Sequence, residues 1–311
     1  MAAPSQAPPG AAPAAATTAP GRAEQTVYGV KAALALLEHR PQDVRRIYHA
    51  SALRGLLAPH LAWAASRHLP YRELDGDALA KVADGTHHEG LVVVAEALRY
   101  RALTPELARA GGPAALWLAM DRVENPHNLG ALLRTAAFFG LSGVLAGGAA
   151  AGDKVNAAVL RVSEGGAELV PLFGAPDLPA ALRTLREGRC RVLGLETDGA
   201  LPLAAAIADG LTSGPLALVL GQERDGLSTL ARSACDALCV LEGGGPLPSL
   251  NVSVAAAVAL TQVLHGRARP TPLAAAARAP DAPGRSARHG PPRDRPQDRR
   301  PRRPPPGPRH R

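Results

Sequence analysis

The run Leu216-Ala217-Leu218-Val219-Leu220-Gly221-Gln222-Glu223-Arg224-Asp225-Gly226-Leu227-Ser228 decides the fold. Its first five residues are apolar without alternation, the pattern of a strand buried on both faces. Gly221 breaks the strand, a polar turn follows, and helical spacing resumes over 227–234. The same strand–turn–helix unit recurs in both directions. Toward the N-terminus the spacing predicts strand 190–195, helix 202–208, strand 168–172 with helix 177–187, strand 141–146 with helix 153–162, and strand Ala115–Met120 with helix 128–139. Toward the C-terminus it predicts strand 237–241 and helix 250–265. This alternation specifies an α/β domain, a parallel sheet flanked by helices on both faces. The period alone reads as an ordinary doubly wound sheet.

Ligands bind open parallel sheets beyond the carboxyl ends of the strands, so the residues just after each strand carry the chemical information. Three stretches stand out. In Asp121–Thr135 a strand ends at a polar turn and a helix starts near Asn128. Leu129, Leu132, Leu133, Ala136 and Ala137 form its apolar stripe, and Arg134 lies off that stripe. In Leu216–Ser228, Gly221 permits close backbone approach at a strand tip, and Glu223 offers a carboxylate beside it. In Leu247–Ala257, the glycine-rich Gly243–Gly245 leads into a helix opening with Ser249, Asn251 and Ser253, more short polar side chains than one cap needs. Each stretch also has a structural reading, as a capped helix or a tight turn.

Two tempting motifs fail. Gly148-Ala-Ala-Ala-Gly152-Asp153-Lys154 has Asp153 where a phosphate loop needs lysine, and Val155 where it needs Ser or Thr after that lysine. No G-x-G-x-x-G follows the first strand of the domain, which counts against a dinucleotide dehydrogenase. His87 and His88 are adjacent and face different ways in regular structure, and Cys235 and Cys239 lack a companion pair, so no metal site is expected.

Composition bounds the remainder. The chain has 311 residues, 46% apolar and 20% charged, long enough for two domains with real cores. The net charge of +8 is uneven: residues 269–311 hold 12 Arg and 3 Asp and carry +9, which leaves −1 for residues 1–268. Arginine outnumbers lysine 32 to 3, a bias that codon usage in a GC-rich genome would produce. Three cysteines in a long chain argue against a disulfide framework and fit reduced thiols in the cytoplasm. No run of 18 apolar residues and no export signal is present, so no membrane is expected. Residues 1–23, rich in Ala and Pro, and the Pro/Arg-rich 269–311 are expected to be disordered. Between 24 and 100 lies a small α/β module: helix Val30–Leu37, a strand around Val44–Tyr48, helix Leu53–Arg67 with Pro59 as a possible interruption, and strand Leu91–Ala95. Residues 101–114 read as a linker, and 115–268 as the larger domain.

Taken in this order, the three stretches resemble the signature motifs of the TrmH (SpoU) family of RNA ribose 2′-O-methyltransferases, in the SPOUT superfamily. Asn128 and Arg134 match its Asn-x-x-x-x-x-Arg, Gly221 and Glu223 its Gly-x-Glu, and Ser249–Ser253 its Ser-Leu-Asn-Val-Ser. Ser163–Glu168 is similar to its Gly-Ala-Glu segment. Residues 27–95 resemble the L30e-like substrate-binding domain that precedes the catalytic domain in many members, with Thr86–Gly90 similar to its closing turn. The likeness departs at Leu241–Pro246, where the family usually carries Ile-Pro-Met.

The resemblance implies a trefoil-knotted domain with the last helix threaded through a loop, and a homodimer whose sites are completed across two chains. It implies S-adenosyl-L-methionine as methyl donor and tRNA or rRNA as substrate, with no metal. Leu220, Gly221, Leu241, Leu250 and Asn251 would hold the cofactor. Asn128, Glu223, Ser249 and Asn251 would organise the site. Arg134, charged at neutral pH, would stabilise the attacking hydroxyl. Arg45, Arg46, Arg54 and Arg67 are candidate RNA contacts on the first module. The rival reading is an RNA-binding protein on the same scaffold without methyl transfer.

Overall fold

The computed structural model describes residues 23–198, 201–265, 267 and 270; the expected disordered leader (but for Ala23) and, but for Pro270, basic tail lie outside the described residues. The first module contains β1 (Glu24–Tyr28), α1 (Val30–His39), β2 (Val44–His49), α2 (Arg54–Ser66), β3 (Tyr71–Glu73), α3 (Gly76–Ala83) and β4 (Leu91–Glu96). Its sheet has the order β1-β4-β2-β3. β4 is antiparallel to both neighbours and β3 runs parallel to β2. β1, β3 and α3 had not been expected. β1 buries Val27 but fills its other inward position with the polar Gln25, and β3 is exposed at all three residues, so neither carries an apolar signature. α2 continues through Pro59.

The larger part contains α4 (Pro105–Ala110), β5 (Leu116–Asp121), α5 (Pro126–Phe139), β6 (Gly143–Gly147), α6 (Ala157–Val162), α7 (Gly166–Leu169), β7 (Leu172–Ala175), α8 (Leu178–Glu187), β8 (Arg191–Leu195), β9 (Leu201–Pro202), α9 (Leu203–Ala208), β10 (Leu216–Gly221), α10 (Thr229–Ala234), β11 (Ala237–Val240) and α11 (Val252–Leu264). The seven strands pair in the order β7-β6-β5-β10-β8-β11-β9, all in parallel. β5 and β10 are central and buried at every residue, as their unbroken apolar runs require. Their side chains alternate between two cores. Leu116, Leu118, Met120, Leu216, Leu218 and Leu220 face the layer of α5, α6, α9 and α11. Trp117, Ala119, Ala217 and Val219 face α8 and α10.

Two boundaries needed correction. The strand expected at 168–172 lies at 172–175, because Gly165, at φ +93°, starts the short helix α7 instead. The stretch read as a linker contains α4, started by Thr104, whose Oγ1 accepts the Leu107 N–H at 3.3 Å. Ala108 of α4 is buried against the α8 layer.

The two modules share one core. Residues of α1, β2 and β4 join the same apolar cluster as α5 and α6. Polar ties reinforce the joint. Gln25 donates to the Val155 carbonyl and accepts the Leu98 N–H at 3.1 Å. Arg40 makes a bidentate pair with Glu168 at 2.7 and 2.9 Å, and both side chains are almost fully buried. Burial alone would lower the Arg40 pKa, but Glu168 and Asp43 together raise it.

Candidate active site

The three stretches meet at the carboxyl ends of β5, β10 and β11. Asn128 Nδ2 donates to Glu223 Oε1 at 2.6 Å. Asn251 Nδ2 donates to the same oxygen at 2.7 Å and to Asn128 Oδ1 at 3.0 Å. The three residues thus close a triangle of hydrogen bonds across separations of 95, 28 and 123 residues. Bonds to an ionised carboxylate are the stronger kind. Glu223 also lies by the amino ends of α5 and α11, where helix dipoles favour negative charge.

Local structure explains why these side chains are available. Asn125, not Asn128, caps α5, its Oδ1 accepting the His127 N–H at 2.9 Å with Pro126 in the first turn. Asn128 is therefore released from capping and is buried facing Glu223. Asn251 serves twice. Its Oδ1 accepts the Ser253 N–H at 3.0 Å, capping α11, and the Ser253 hydroxyl at 2.6 Å, while its Nδ2 makes the cross-links. Ser249 is exposed and takes no part in the triangle.

Gly221 is required by the packing of its own turn as well. A Cβ there would lie 2.0 Å from the Gly226 carbonyl carbon and 2.4 Å from Leu227 N. The chain's own turn fills the side on which a Cβ would project. That turn is held at several points. Gly226 N–H donates to the Gln222 carbonyl at 3.0 Å. Glu196, just after β8, accepts the Leu227 N–H at 2.9 Å, and Asp121, at the end of β5, accepts the Ser228 N–H at 2.6 Å. Glu196 and Asp121 had not been singled out, although the strand-tip rule that found Glu223 applies to them equally.

The loop after β11 is the opposite. Leu241 packs at the core edge, but Glu242–Leu250 are exposed and, among the described residues, make no hydrogen bond. Leu247 is 82% and Leu250 53% exposed. Leu220, by contrast, is buried beneath the site.

Arg134 stands apart from the triangle. It is exposed on α5, and its Nη1 lies 3.0 Å from Glu164 Oε1. Glu164 also accepts from Lys31 Nζ of the first module at 2.6 Å. The Lys31 ammonium, with Arg134 adding to it, holds the Glu164 carboxyl below the usual range. Neither Glu164 nor Lys31 had been assigned a role, because nothing local in the sequence joins α1 to α5. Among the proposed RNA contacts, Arg45 pairs with Glu96, Arg46 with Glu24, and Arg54 with Glu73 at 3.6 Å. Among the described residues no cluster of three His, Cys, Asp or Glu could hold a metal ion, and no helix is long and apolar enough to cross a membrane.

Residues 115–261 match the family model described as the SpoU rRNA Methylase family, and residues 26–101 match the model for RNA 2′-O ribose methyltransferase substrate binding. Among curated proteins, the chain is 35% identical over 254 residues to the 23S rRNA (guanosine-2′-O-)-methyltransferase RlmB of Pseudomonas aeruginosa, covering 80% of this chain and 98% of that one. The counterpart from Nitrosomonas europaea is 33% identical, covering 79% and 94%. Among solved structures, the SpoU methyltransferase AviRb of Streptomyces viridochromogenes superposes with a TM-score of 0.61 at 24% identity, covering 78% of this chain and 90% of that one. An AdoMet-bound rRNA methyltransferase of Sinorhizobium meliloti gives 0.62 at 21% identity, covering 78% and 87%. At these identities the structural likeness bears on the fold.

Proposed function

Because the chain belongs to the SpoU rRNA methylase family, we propose that it transfers a methyl group from S-adenosylmethionine to a ribose 2′-hydroxyl of RNA, with 23S ribosomal RNA, on which the curated relatives by their names act, as the first substrate to test. The observation that carries the proposal is the Asn128–Glu223–Asn251 triangle, which gathers one residue from each signature stretch at the strand tips.

The site fits the cofactor. Glu242–Leu250 offer backbone donors and acceptors with no partner among the described residues, and Leu247 and Leu250 offer apolar surface beside them. Gly221, Leu241, Leu250 and Asn251 would hold the cofactor, with Leu220 supporting them from below. When bound, the cofactor supplies an electrophilic sulfonium methyl. Asn128, Glu223 and Asn251 tie α5 to α11 and hold the two strand-tip loops in register. Ser249, on the open loop, is a further candidate for hydrogen bonding there. Arg134 stabilises the developing negative charge on the attacking oxygen.

The same reading includes a homodimer and a knotted chain. Val254 and Val258 of α11 and Phe138 of α5 are exposed on neighbouring helices, an apolar face suited to a second copy. The strand order, with α11 returning from the β11 side to pack on α5 and α9, supports the threaded topology. The same reading assigns the reaction to the cytoplasm.

The test is methyl transfer from labelled S-adenosylmethionine to 23S rRNA transcripts, followed by mapping of 2′-O-methyl positions. Labelled ribose at one position is expected. RNA binding without transfer would instead favour a binding protein on this scaffold.

A further inference from the structure

Glu164 lies between two cations from different modules. Lys31 Nζ is 2.6 Å from one carboxylate oxygen and Arg134 Nη1 is 3.0 Å from the other. The turn carrying Glu164 is pressed in from both sides. A Cβ on Gly165 would lie 2.6 Å from Ala35 Cβ of α1, and one on Gly166 would lie 2.8 Å from Arg134 Cα of α5. The two glycines let the turn wedge between the modules, and Glu164 itself adopts a left-handed backbone, φ +46°, that a residue with a side chain rarely takes. The chain holds only 3 lysines against 32 arginines, and one of them is here.

We infer that Glu164 is a stand-in for a substrate phosphate: an RNA phosphodiester displaces its carboxylate and binds across Lys31 and Arg134, one cation from each module. This rests on the RNA-methylating reading above. A phosphodiester, like a carboxylate, presents two charged oxygens, so it can satisfy the same two donors. Displacement is cheap because the pair is wet. Side-chain exposures are 66% for Lys31, 33% for Glu164 and 57% for Arg134, and exposed ion pairs contribute little. The incoming phosphate gains charge-assisted bonds and counterion release. Lys31 thereby becomes a substrate-binding residue, and Glu164 keeps Arg134 out of other ion pairs until RNA arrives. Seating RNA on the first module and transferring the arginine from Glu164 to the substrate become a single event.

The experiment measures binding of a 23S rRNA fragment by fluorescence anisotropy over a salt series, with steady-state methylation alongside. The full chain is used, and thermal melts check folding. Glu164→Gln is expected to tighten RNA binding about threefold at low salt and to lower KM. Lys31→Met is expected to weaken binding five- to tenfold and to reduce the salt slope by about one phosphate contact, with Lys31→Arg restoring most of it. In the Lys31→Met background, Glu164→Gln should gain less than it does alone, since the two act on one phosphate. Lys81→Met, on α3, serves as the charge control. Unchanged or weaker binding by Glu164→Gln overturns the inference, as does a loss in Lys81→Met equal to that in Lys31→Met. If wild-type protein methylates RNA and these variants behave as wild type, only this inference falls; if wild type neither binds nor methylates RNA, the functional reading falls with it.

Discussion

Two loops leave the carboxyl ends of strands at the same site, and they are built on opposite principles. The loop 222–228 after β10 is closed on itself. Its backbone is tied to Gln222, Glu196 and Asp121, and its crowding leaves Gly221 no room for a side chain. The loop 242–250 after β11 has three consecutive glycines, each with open space around it, and among the described residues no hydrogen bond. The first has tied down the N–H groups of Gly226, Leu227 and Ser228, so a ligand meets a braced turn. The second keeps its donors and acceptors available, and ordering it is a cost charged to binding. Asn251 sits where the second ends and Glu223 inside the first, so their hydrogen bond joins the rigid side of the site to the loose one.

The harshest way to break this contrast is Gly221→Ala. A Cβ 2.0 Å from a backbone carbon forces the self-bonded loop apart. The expected loss is about 3 kcal/mol or more of stability, visible as a large fall in Tm, together with loss of methyl transfer. An unchanged Tm would mean that the loop is not closed as described.

Cutting the bridge between the loops comes next. Asn251→Ala removes the α11 cap and both cross-links, and caps of this kind contribute about 1 kcal/mol. Turnover should drop on the order of a hundredfold while the protein stays folded by circular dichroism. Retained turnover would reduce the triangle to a structural staple.

Arg134 belongs to neither loop, which makes Arg134→Lys a test of whether the chemistry resides where the loops meet or one face away. Lysine lacks the planar fork, so methylation should slow at least tenfold, within the roughly 10²–10³ that one charge-stabilising contact can supply, with normal binding of S-adenosylmethionine by calorimetry. Wild-type rates would take Arg134 off the list of catalytic residues.

Stiffening the loose loop should do the reverse of damage. Gly244→Ala with Gly245→Ala meets no neighbour within 4 Å, and such changes recover about 0.4–1 kcal/mol each by restricting the free chain. Cofactor affinity should rise severalfold with Tm nearly unchanged. Weaker binding would indicate that the glycines are needed for their dihedral freedom in the bound state.

The mildest probe reads the closed side. Cys235 follows the self-bonded loop and α10, and burial pushes its thiol up to about 12. At pH 8 its thiolate fraction is on the order of 10⁻⁴, so iodoacetamide should leave it almost untouched in native protein. Rapid alkylation would show that this side opens readily.

How much of this was legible in sequence depended on range. The central strands β5 and β10 were readable because burial on both faces leaves an unbroken apolar run. Asn128, Glu223 and Asn251 were readable because strand tips are where parallel sheets place ligands and their motifs are local. Gly221 was found from its place at a strand tip, but a glycine signals crowding without saying what crowds it, here the turn at Gly226 and Leu227. Ser249 was named with its motif, but a motif does not say which of its members turn inward. The Lys31–Glu164–Arg134 contact was invisible, since it joins two helices and the turn between α6 and α7 across 133 and 30 positions. The edge strand β3 was missed because it is exposed at all three residues, and β1 because one of its two inward positions is the polar Gln25.

The buried Arg40–Glu168 pair has a consequence for descent. Had a substrate-binding module been acquired by gene fusion, its new host would have had to supply the matching charge, because removing one partner of a buried pair costs about 3–5 kcal/mol. A chimera that swaps residues 24–100 for the module of a relative inherits Glu168 and must bring an arginine at position 40 to meet it. At this buried pair, as along the apolar core they share, the two halves of this protein are bound to be inherited together.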